Sequence, residues 1–317
     1  GGRVNGAIVV VNGRNTLVRA RYGVLMASGG FEHNEKMRKQ YQKSPIGTNW
    51  TVGAVSNTGD GILAGQKAGA ELKLMDDAWW GPTIPLTKGQ PYFCLSERSL
   101  PGSILVNRFG VRFTNESAPY HDVVNAMYSS NVSGKSIDTW LITDQEYRNR
   151  YLFKDVLPGL NLPKEWYASK AVVKADTIED LAIEIGVSPE ALMETICRFN
   201  RFADAGKDED FHRGENSYDL YYSDPGQKPN PSLGRVDSAP FYAFKVVPGD
   251  LGTKGGLATD EYSRVLREDG SIIEGFYAAG NVSDSVMGRS YAGAGSTLGP
   301  AMVFGYVAAL HVAGVLD

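Results

Sequence analysis

A chain of 317 residues exceeds the usual size of one hydrophobic core, and 37 glycines with 15 prolines imply many short connections, so two domains are expected. With 42% hydrophobic and 21% charged residues the composition is that of a globular protein, neither disordered nor fibrous. The formal charge of −4 comes from mixed acids and bases without a basic stripe, which argues against nucleic acid as a partner.

The first elements read as a hairpin, Val4 to Val11, a turn at Asn12-Gly13, and Asn15 to Tyr22. Gly1 is not a methionine and the chain opens in mid-fold, so an N-terminal segment is expected to precede it. Gly23 to Gly30 is a short apolar run ending in small residues. It predicts a buried parallel strand feeding a tight turn, followed by a helix over Asn34 to Gln42. Small residues at a strand's carboxyl end let a ligand approach the backbone, although a plain strand-to-helix turn accounts for them equally well. Ser56 to Gly61 precedes a helical pattern from Ile62 to Gly69, which Thr58 or Asp60 is placed to cap.

From Trp79 to about Asp250 aromatic residues become dense, and strand-like pieces at Ser103 to Asn107 and Val111 to Phe113 alternate with loops, as expected of an inserted second domain. Two amphipathic helices are predicted within it, Thr177 to Ile185 after Asp176 and Pro189 to Phe202 after Ser188. The loop from Asp208 to Gly234 reads as a surface wrap in which one of Tyr218, Tyr221 and Tyr222 edges a pocket. Beyond Lys254 a hairpin turns at Asp269-Gly270, and Gly275 to Asn281 is a second strand ending in small residues. The first domain thus resumes, giving segments 1–79, 80–251 and 252–317, with the outer two in one sheet.

Cys94 and Cys197 are far apart, and the four histidines form no ligand pair, so neither a disulfide framework nor a metal site is expected. No apolar run reaches the roughly 18–20 residues that cross a bilayer, and no signal segment opens the chain, so stable membrane insertion is not expected and a cytoplasmic location is. A Walker loop fails because the glycine required upstream of Gly134-Lys135-Ser136 is Ser129, and there is no GxSxG elbow. The glycine-rich stretch Met287 to Pro300 opens a helix from Ala301 to Ala313. Amides at such a helix end hold an anion or an electron-rich ring edge. Its place at the end of the chain argues against a nicotinamide phosphate loop, which belongs in the first strand-to-helix turn.

The order of Ala27-Ser28-Gly29-Gly30-Phe31-Glu32, Asn57-Thr58-Gly59-Asp60-Gly61, Trp79-Trp80-Gly81-Pro82, Asn115-Glu116-Ser117-Ala118-Pro119-Tyr120, Pro248 to Gly256 and Ala278-Ala279-Gly280-Asn281-Val282-Ser283 resembles the FAD-dependent fumarate reductase and ketosteroid dehydrogenase superfamily, most specifically the 3-ketosteroid Δ1-dehydrogenases. The resemblance extends over nearly all of the chain. It departs from the family in two ways: the first βαβ unit with its GxGxxG loop and a further tyrosine are absent, and Arg289 to Gly295 stands where His-Thr-Tyr-Pro-Gly-Pro-Gly is usual.

The resemblance implies an α/β fold, a discontinuous, doubly wound, Rossmann-like FAD-binding domain interrupted by an α+β catalytic domain. It implies FAD as cofactor, held by Ala27, Ser28, Gly29, Gly30, Phe31, Asn57, Thr58, Gly59, Asp60, Gly280, Asn281, Gly295, Ser296, Thr297 and Leu298. The implied partners are a 3-ketosteroid substrate, an external electron acceptor and the N-terminal segment. Tyr291 and the Gly295 amide would hydrogen-bond the C3 oxygen, each donor contributing about 3–4 kcal/mol to the enolate-like state. Tyr120 would take the C2 proton while hydride passes from C1 to flavin N5. A tyrosine base near neutral pH needs its ordinary pKa of about 10 depressed by roughly two to three units. Read without the family, Tyr120 and Tyr291 are half-buried loop tyrosines. The alternatives are a Δ4-(5α)-dehydrogenase, a fumarate-reductase-like flavoprotein, for which Arg289 invites a carboxylate, and a noncatalytic flavin-binding fragment.

Overall fold

The computed structural model describes residues 2–86, 90–131 and 136–316, so Gly134 and Lys135 lie outside the described residues. The chain forms two units, one of Gly1–Lys43, Gly53–Trp79 and Leu251–Asp317, the other of Ser44–Val52 and Trp80–Asp250.

Strands β1 (Gly6–Val11) and β2 (Arg14–Arg19) form the hairpin, with Asn12 and Gly13 at φ 51° and 75° in its two-residue turn. Positive φ at both positions matches the right-handed twist of the strands, which is why Asn-Gly serves there. Strand β3 (Val24–Met26) ends at the small residues. Helix α1 (Glu35–Tyr41) follows, capped by Asn34, whose side chain accepts the Met37 amide at 3.1 Å. Helix α2 (Asp60–Lys67) is not capped by Thr58 or Asp60. Gly59 occupies the cap at φ 79°, and the Thr58 hydroxyl donates to Asp60 Oδ1 instead, at 3.0 Å. Strand β4 (Leu72–Lys73) stops after two residues because Leu74 turns to φ 54°.

Strands β5 (Ala78–Ile84), β6 (Tyr92–Phe93) and β7 (Ser103–Val106) come next. The expected strand at Val111 to Phe113 reduces to a single bridge between Arg112 and Val106, because Arg112 turns inward to an ion cluster. Then follow α3 (Tyr120–Ser130), β8 (Thr139–Thr143), α4 (Gln145–Arg150), α5 (Lys164–Ala168) and β9 (Val172–Ala175). Helix α6 (Ile178–Ile185) is capped by Thr177 rather than Asp176, and α7 (Pro189–Ala205), capped by Ser188, runs three residues past the expected end to Gly206 at φ 72°. Their apolar stripes, with Leu181, Ile185, Leu192, Ile196 and Phe199, bury against Ile104, Ile142 and Phe241. Each such side chain contributes about 1.5–3 kcal/mol.

The wrap from Asp208 to Gly234 holds a short helix, α8 (Ser217–Tyr221), and is only partly a surface feature, since Asp208, Arg213, Asp219 and Ser232 are buried. The long strand β10 (Phe241–Thr253) organises the second unit's sheet in the order β6-β5-β10-β8-β7, with β9 also on β10. Ser44–Val52 packs with this unit through Thr51 Oγ1 to Asp250 Oδ1 at 2.6 Å and Val52 N to Asp250 O at 2.9 Å.

The chain ends with β11 (Gly256–Leu257), β12 (Arg264–Leu266), β13 (Ile272–Ala278), a 3-10 turn at Gly280–Val282 and α9 (Leu298–Val312). The outer segments were expected in one sheet but make three small ones: β1-β2, β11-β4 and β12-β13-β3. Early strand endings such as Leu74 and a register shift between Arg264 and Leu266 keep the ladders short. The parallel pair β3-β13 aligns Met26 with Ala278, so both strands deliver small residues at the same end. Phe31, Met37, Ile62, Leu257 and Val282 form the core beside it. Helix α9 starts at Leu298, three residues before the expected Ala301, because a proline is tolerated in a first turn and Pro300 sits there. No described helix is long and apolar enough to cross a membrane.

Candidate functional site

In the first unit, the ends of β3 and β13 and the amino end of α9 line one cavity of about 390 Å³. Ala27, Gly29, Ala279, Gly280, Asn281, Thr297 and Leu298 border it, so six of the fifteen expected cofactor residues share this wall. None of its lining residues is charged. Thr297 makes no side-chain cap hydrogen bond to α9; with the Gly299 amide bonded to Gly295 O and Pro300 without an N–H, the Leu298 amide is the first-turn donor left for a ligand. A second cavity of the same size joins Gly280, Asn281, Ser296 and Thr297 to Trp79 and Lys254.

The remaining expected cofactor residues build the wall from behind. Gly29, at φ 77°, lies so close to Asn57 that a Cβ would come within 2.3 Å of Oδ1, and a Cβ on Gly30 would meet Thr253 Oγ1 at 2.1 Å. The same hydroxyl accepts the Phe31 amide at 3.0 Å, and Asn57 Nδ2 donates to buried Glu32 at 2.6 Å. Gly59 N bonds Gly30 O at 3.0 Å, and Asn34 Nδ2 bonds Thr58 O at 2.8 Å. Phe31 is fully buried in the core, whereas Ser28 and Asp60 are exposed.

Tyr291 lies on the loop before α9, half-buried, with its ring edge-on to Trp79 at 4.9 Å. Trp79 Nε1 donates to Asn281 Oδ1 at 3.0 Å, tying the tyrosine's neighbour to the cavity wall. Gly295, at φ 94°, is exposed, and its carbonyl accepts the Gly299 amide at 2.8 Å. That positive φ suits glycine and turns the loop into the helix. Arg289 makes a two-pronged pair with Asp76 at 2.9 and 3.0 Å, which holds the Asp76 carboxyl below its ordinary range. Its guanidinium is thereby engaged, which weakens the carboxylate reading of this site.

In the second unit Tyr120 is the first residue of α3, buried, with its ring edge-on to Phe93 at 5.4 Å. The segment leading to it is fixed by charge. Arg98 Nη1 donates to the carbonyls of Glu116 and of Ala118, the latter at 2.8 Å. Glu116 is fully buried and accepts from Arg112 Nε and Nη2, both at 2.8 Å, from Arg213 Nη1 at 3.1 Å and from the Leu105 amide at 3.1 Å. Burial alone would raise its carboxyl; Arg112 and Arg213 hold it below the ordinary value. Asp208 completes the cluster, 2.8 Å from Arg112 Nη2, and Asn115 bonds Asp219 at 2.9 Å. Burial raises the Tyr218 phenol, and the Arg98 charge opposes that rise.

Sequence reading assigned no role to Arg98, Arg213 or Lys254. The buried arginines have partners on distant segments, which local sequence does not mark. Cys94 is buried and Cys197 exposed, so only the first is a core thiol.

Over residues 1–298 the sequence matches the family described as FAD binding domain. It is 58% identical over 302 residues to the 3-oxosteroid 1-dehydrogenase of Mycolicibacterium smegmatis, covering 94% of this chain and 53% of the relative. Its structure is similar to 3-ketosteroid Δ1-dehydrogenase from Sterolibacterium denitrificans in complex with 1,4-androstadiene-3,17-dione, with a TM-score of 0.95 and 44% identity over 99% of this chain and 57% of that one. It is also similar to 3-ketosteroid-Δ4-(5α)-dehydrogenase from Rhodococcus jostii in complex with 4-androstene-3,17-dione, with a TM-score of 0.70 and 25% identity over 98% of this chain and 57% of that one. The chain spans about half the length of the curated relatives it matches.

Proposed function

The chain belongs to the FAD binding domain family, and on that premise we propose that the protein desaturates the A ring of 3-ketosteroids between C1 and C2. The observation that carries this reading is the high identity to a 3-oxosteroid 1-dehydrogenase along almost the whole chain, far above the identity to the Δ4-(5α) enzyme. The residues suit the cofactor: an uncharged cavity of small and aliphatic residues with Asn281 and Thr297 accepts a flat ring, and the uncapped amino end of α9 offers it the positive end of a helix dipole. Ala27, Gly29, Gly280, Asn281, Thr297 and Leu298 would contact FAD, with Gly30, Phe31, Asn57, Thr58 and Gly59 shaping the wall and Ser28, Asp60, Gly295 and Ser296 at its margins.

FAD, when bound, supplies the hydride acceptor for C1. The chain supplies the rest. The Tyr291 hydroxyl and the Gly295 amide donate hydrogen bonds to the C3 ketone oxygen, stabilising the negative charge that forms there as C2 loses its proton. Tyr120 accepts that proton. The Arg98 guanidinium, bonded to the carbonyl two residues before Tyr120, fixes the turn that carries this tyrosine. An external acceptor then takes the electrons, and the reaction runs in the cytoplasm.

Product analysis tests the reading. Purified protein with FAD and an artificial electron acceptor is incubated separately with androst-4-ene-3,17-dione and with 5α-androstane-3,17-dione. Introduction of a C1–C2 double bond into both is expected; formation of only a C4–C5 double bond, from the saturated ketone alone, would overturn the assignment.

A further inference from the structure

Lys254 has a side chain with no solvent exposure, and its contacts lead to one place. Its ammonium donates to the Ser290 carbonyl at 2.6 Å and stands 4.9 Å from the ring centre of Trp79. Ser290 precedes Tyr291 in the chain, and Trp79 is the ring against which Tyr291 packs. Lys254 thus reaches both the backbone and the ring neighbour of the same tyrosine. Its contact with Asp77 Oδ2 is longer, at 3.4 Å, and Asp77 Oδ1 accepts the Ala78 amide at 2.9 Å.

The loop needs such an anchor. Its turns close on themselves, Gly288 N to Ser285 O at 2.9 Å, Ser290 N to Met287 O at 3.1 Å and Ser296 N to Gly293 O at 3.2 Å. The bond to Ser290, from a residue 36 positions earlier, ties the loop to the body of the unit directly before Tyr291, beside the exposed Arg289–Asp76 pair and the Ser285 amide bonded to Lys254 O. Burying an ammonium is costly, and a well-packed apolar side chain would serve stability as well or better, so the charge calls for a reason beyond packing. Burial pushes the Lys254 amine below its ordinary value; Asp77 opposes this, and Arg289, itself paired with Asp76, adds to it.

We propose that Lys254 is a positioning residue for Tyr291: its buried ammonium fixes the Ser290 carbonyl and the Trp79 ring, and so sets where the Tyr291 hydroxyl meets the substrate ketone. The proposal rests on the reading of Tyr291 as the donor to that ketone. It adds no bond-making step.

Two measurements on purified protein decide it, using Lys254→Met, which keeps the length and loses the charge, and Lys254→Arg, which keeps the charge. Amide hydrogen exchange without substrate is expected to speed up about tenfold across residues 288–296 in Lys254→Met, less in Lys254→Arg, and not in α2 or β13. Steroid turnover is expected to show kcat about tenfold lower in Lys254→Met with KM within about threefold, and part of the loss regained in Lys254→Arg. Unchanged exchange over 288–296 would overturn the proposal, as would faster exchange with unchanged kcat. Should Lys254→Met fail to fold, Lys254→Gln takes its place in both measurements. Wild-type protein without steroid turnover would refute the reading of the activity, while the exchange rates still decide whether Lys254 holds the loop.

Discussion

Glu116→Gln is the most searching test of the structure around Tyr120. The substitution keeps the side chain's shape but removes the negative charge that faces Arg112 and Arg213. Two buried guanidinium groups would then share Asp208 alone, and one positive charge would be left in excess in a site with almost no solvent contact. Breaking a buried pair by removing one partner costs about 3–5 kcal/mol, much of it the penalty of the charge left behind. The ratio of folded to unfolded unit therefore falls by roughly two to almost four powers of ten. Trp50, Trp80, Trp140 and Trp166 belong to this unit, so urea unfolding followed by intrinsic fluorescence reports on it. The pH dependence supplies a second reading. Because the folded-state pKa of Glu116 lies below its ordinary value, its stabilisation is present above the unfolded pKa of about 4.5 and is lost as pH falls through the folded one. The gap between wild type and Glu116→Gln is accordingly constant near neutrality and shrinks in acid. A loss under about 1 kcal/mol at neutral pH, the value of an exposed pair, would refute the buried-cluster reasoning.

Gly30→Ala drives a methyl group into the Thr253 hydroxyl that accepts the Phe31 amide, and overpacking of this kind costs about 1–3 kcal/mol. The expected outcome is a lower melting temperature and weaker flavin retention on gel filtration; unaltered values of both would contradict the tight wall. Tyr291→Phe removes one donor to the ketone oxygen and is expected to lower kcat about 100- to 1,000-fold. Tyr120→Phe is expected to lower it about 100- to 10,000-fold with flavin still bound, as single-turnover kinetics would show. Unchanged turnover in either variant excludes the role assigned to it.

Local chemistry was what the sequence made legible. Asn12-Gly13 announced a hairpin, Asn34 and Ser188 announced helix starts, and small residues announced the ends of β3 and β13, because each acts through its own dihedral angles or its nearest amides. Thr58 and Asp60 misled for the complementary reason. Both have capping chemistry, but Gly59 takes the cap position with a backbone angle that spacing does not reveal. The charged supports of the two tyrosines could not be read at all. Arg112 meets Asp208 across 96 positions and Arg213 meets Glu116 across 97, distances at which sequence carries no periodic signal. Lys254 stood within a recognisable motif, Pro248 to Gly256, but its partners Asp77 and Ser290 lie too far along the chain for that motif to mark a buried charge. The single sheet expected of the outer segments broke into three because short ladders depend on individual residues such as Leu74, whose positive φ no propensity foretells.

The central claim is that this protein moves hydride from a 3-ketosteroid to FAD. Anaerobic titration of the purified, FAD-loaded protein with androst-4-ene-3,17-dione measures it directly through the visible flavin absorption band. The account predicts bleaching of that band in step with formation of androsta-1,4-diene-3,17-dione, one steroid per flavin. A band that persists under excess steroid, yet bleaches with a chemical reductant, would contradict it.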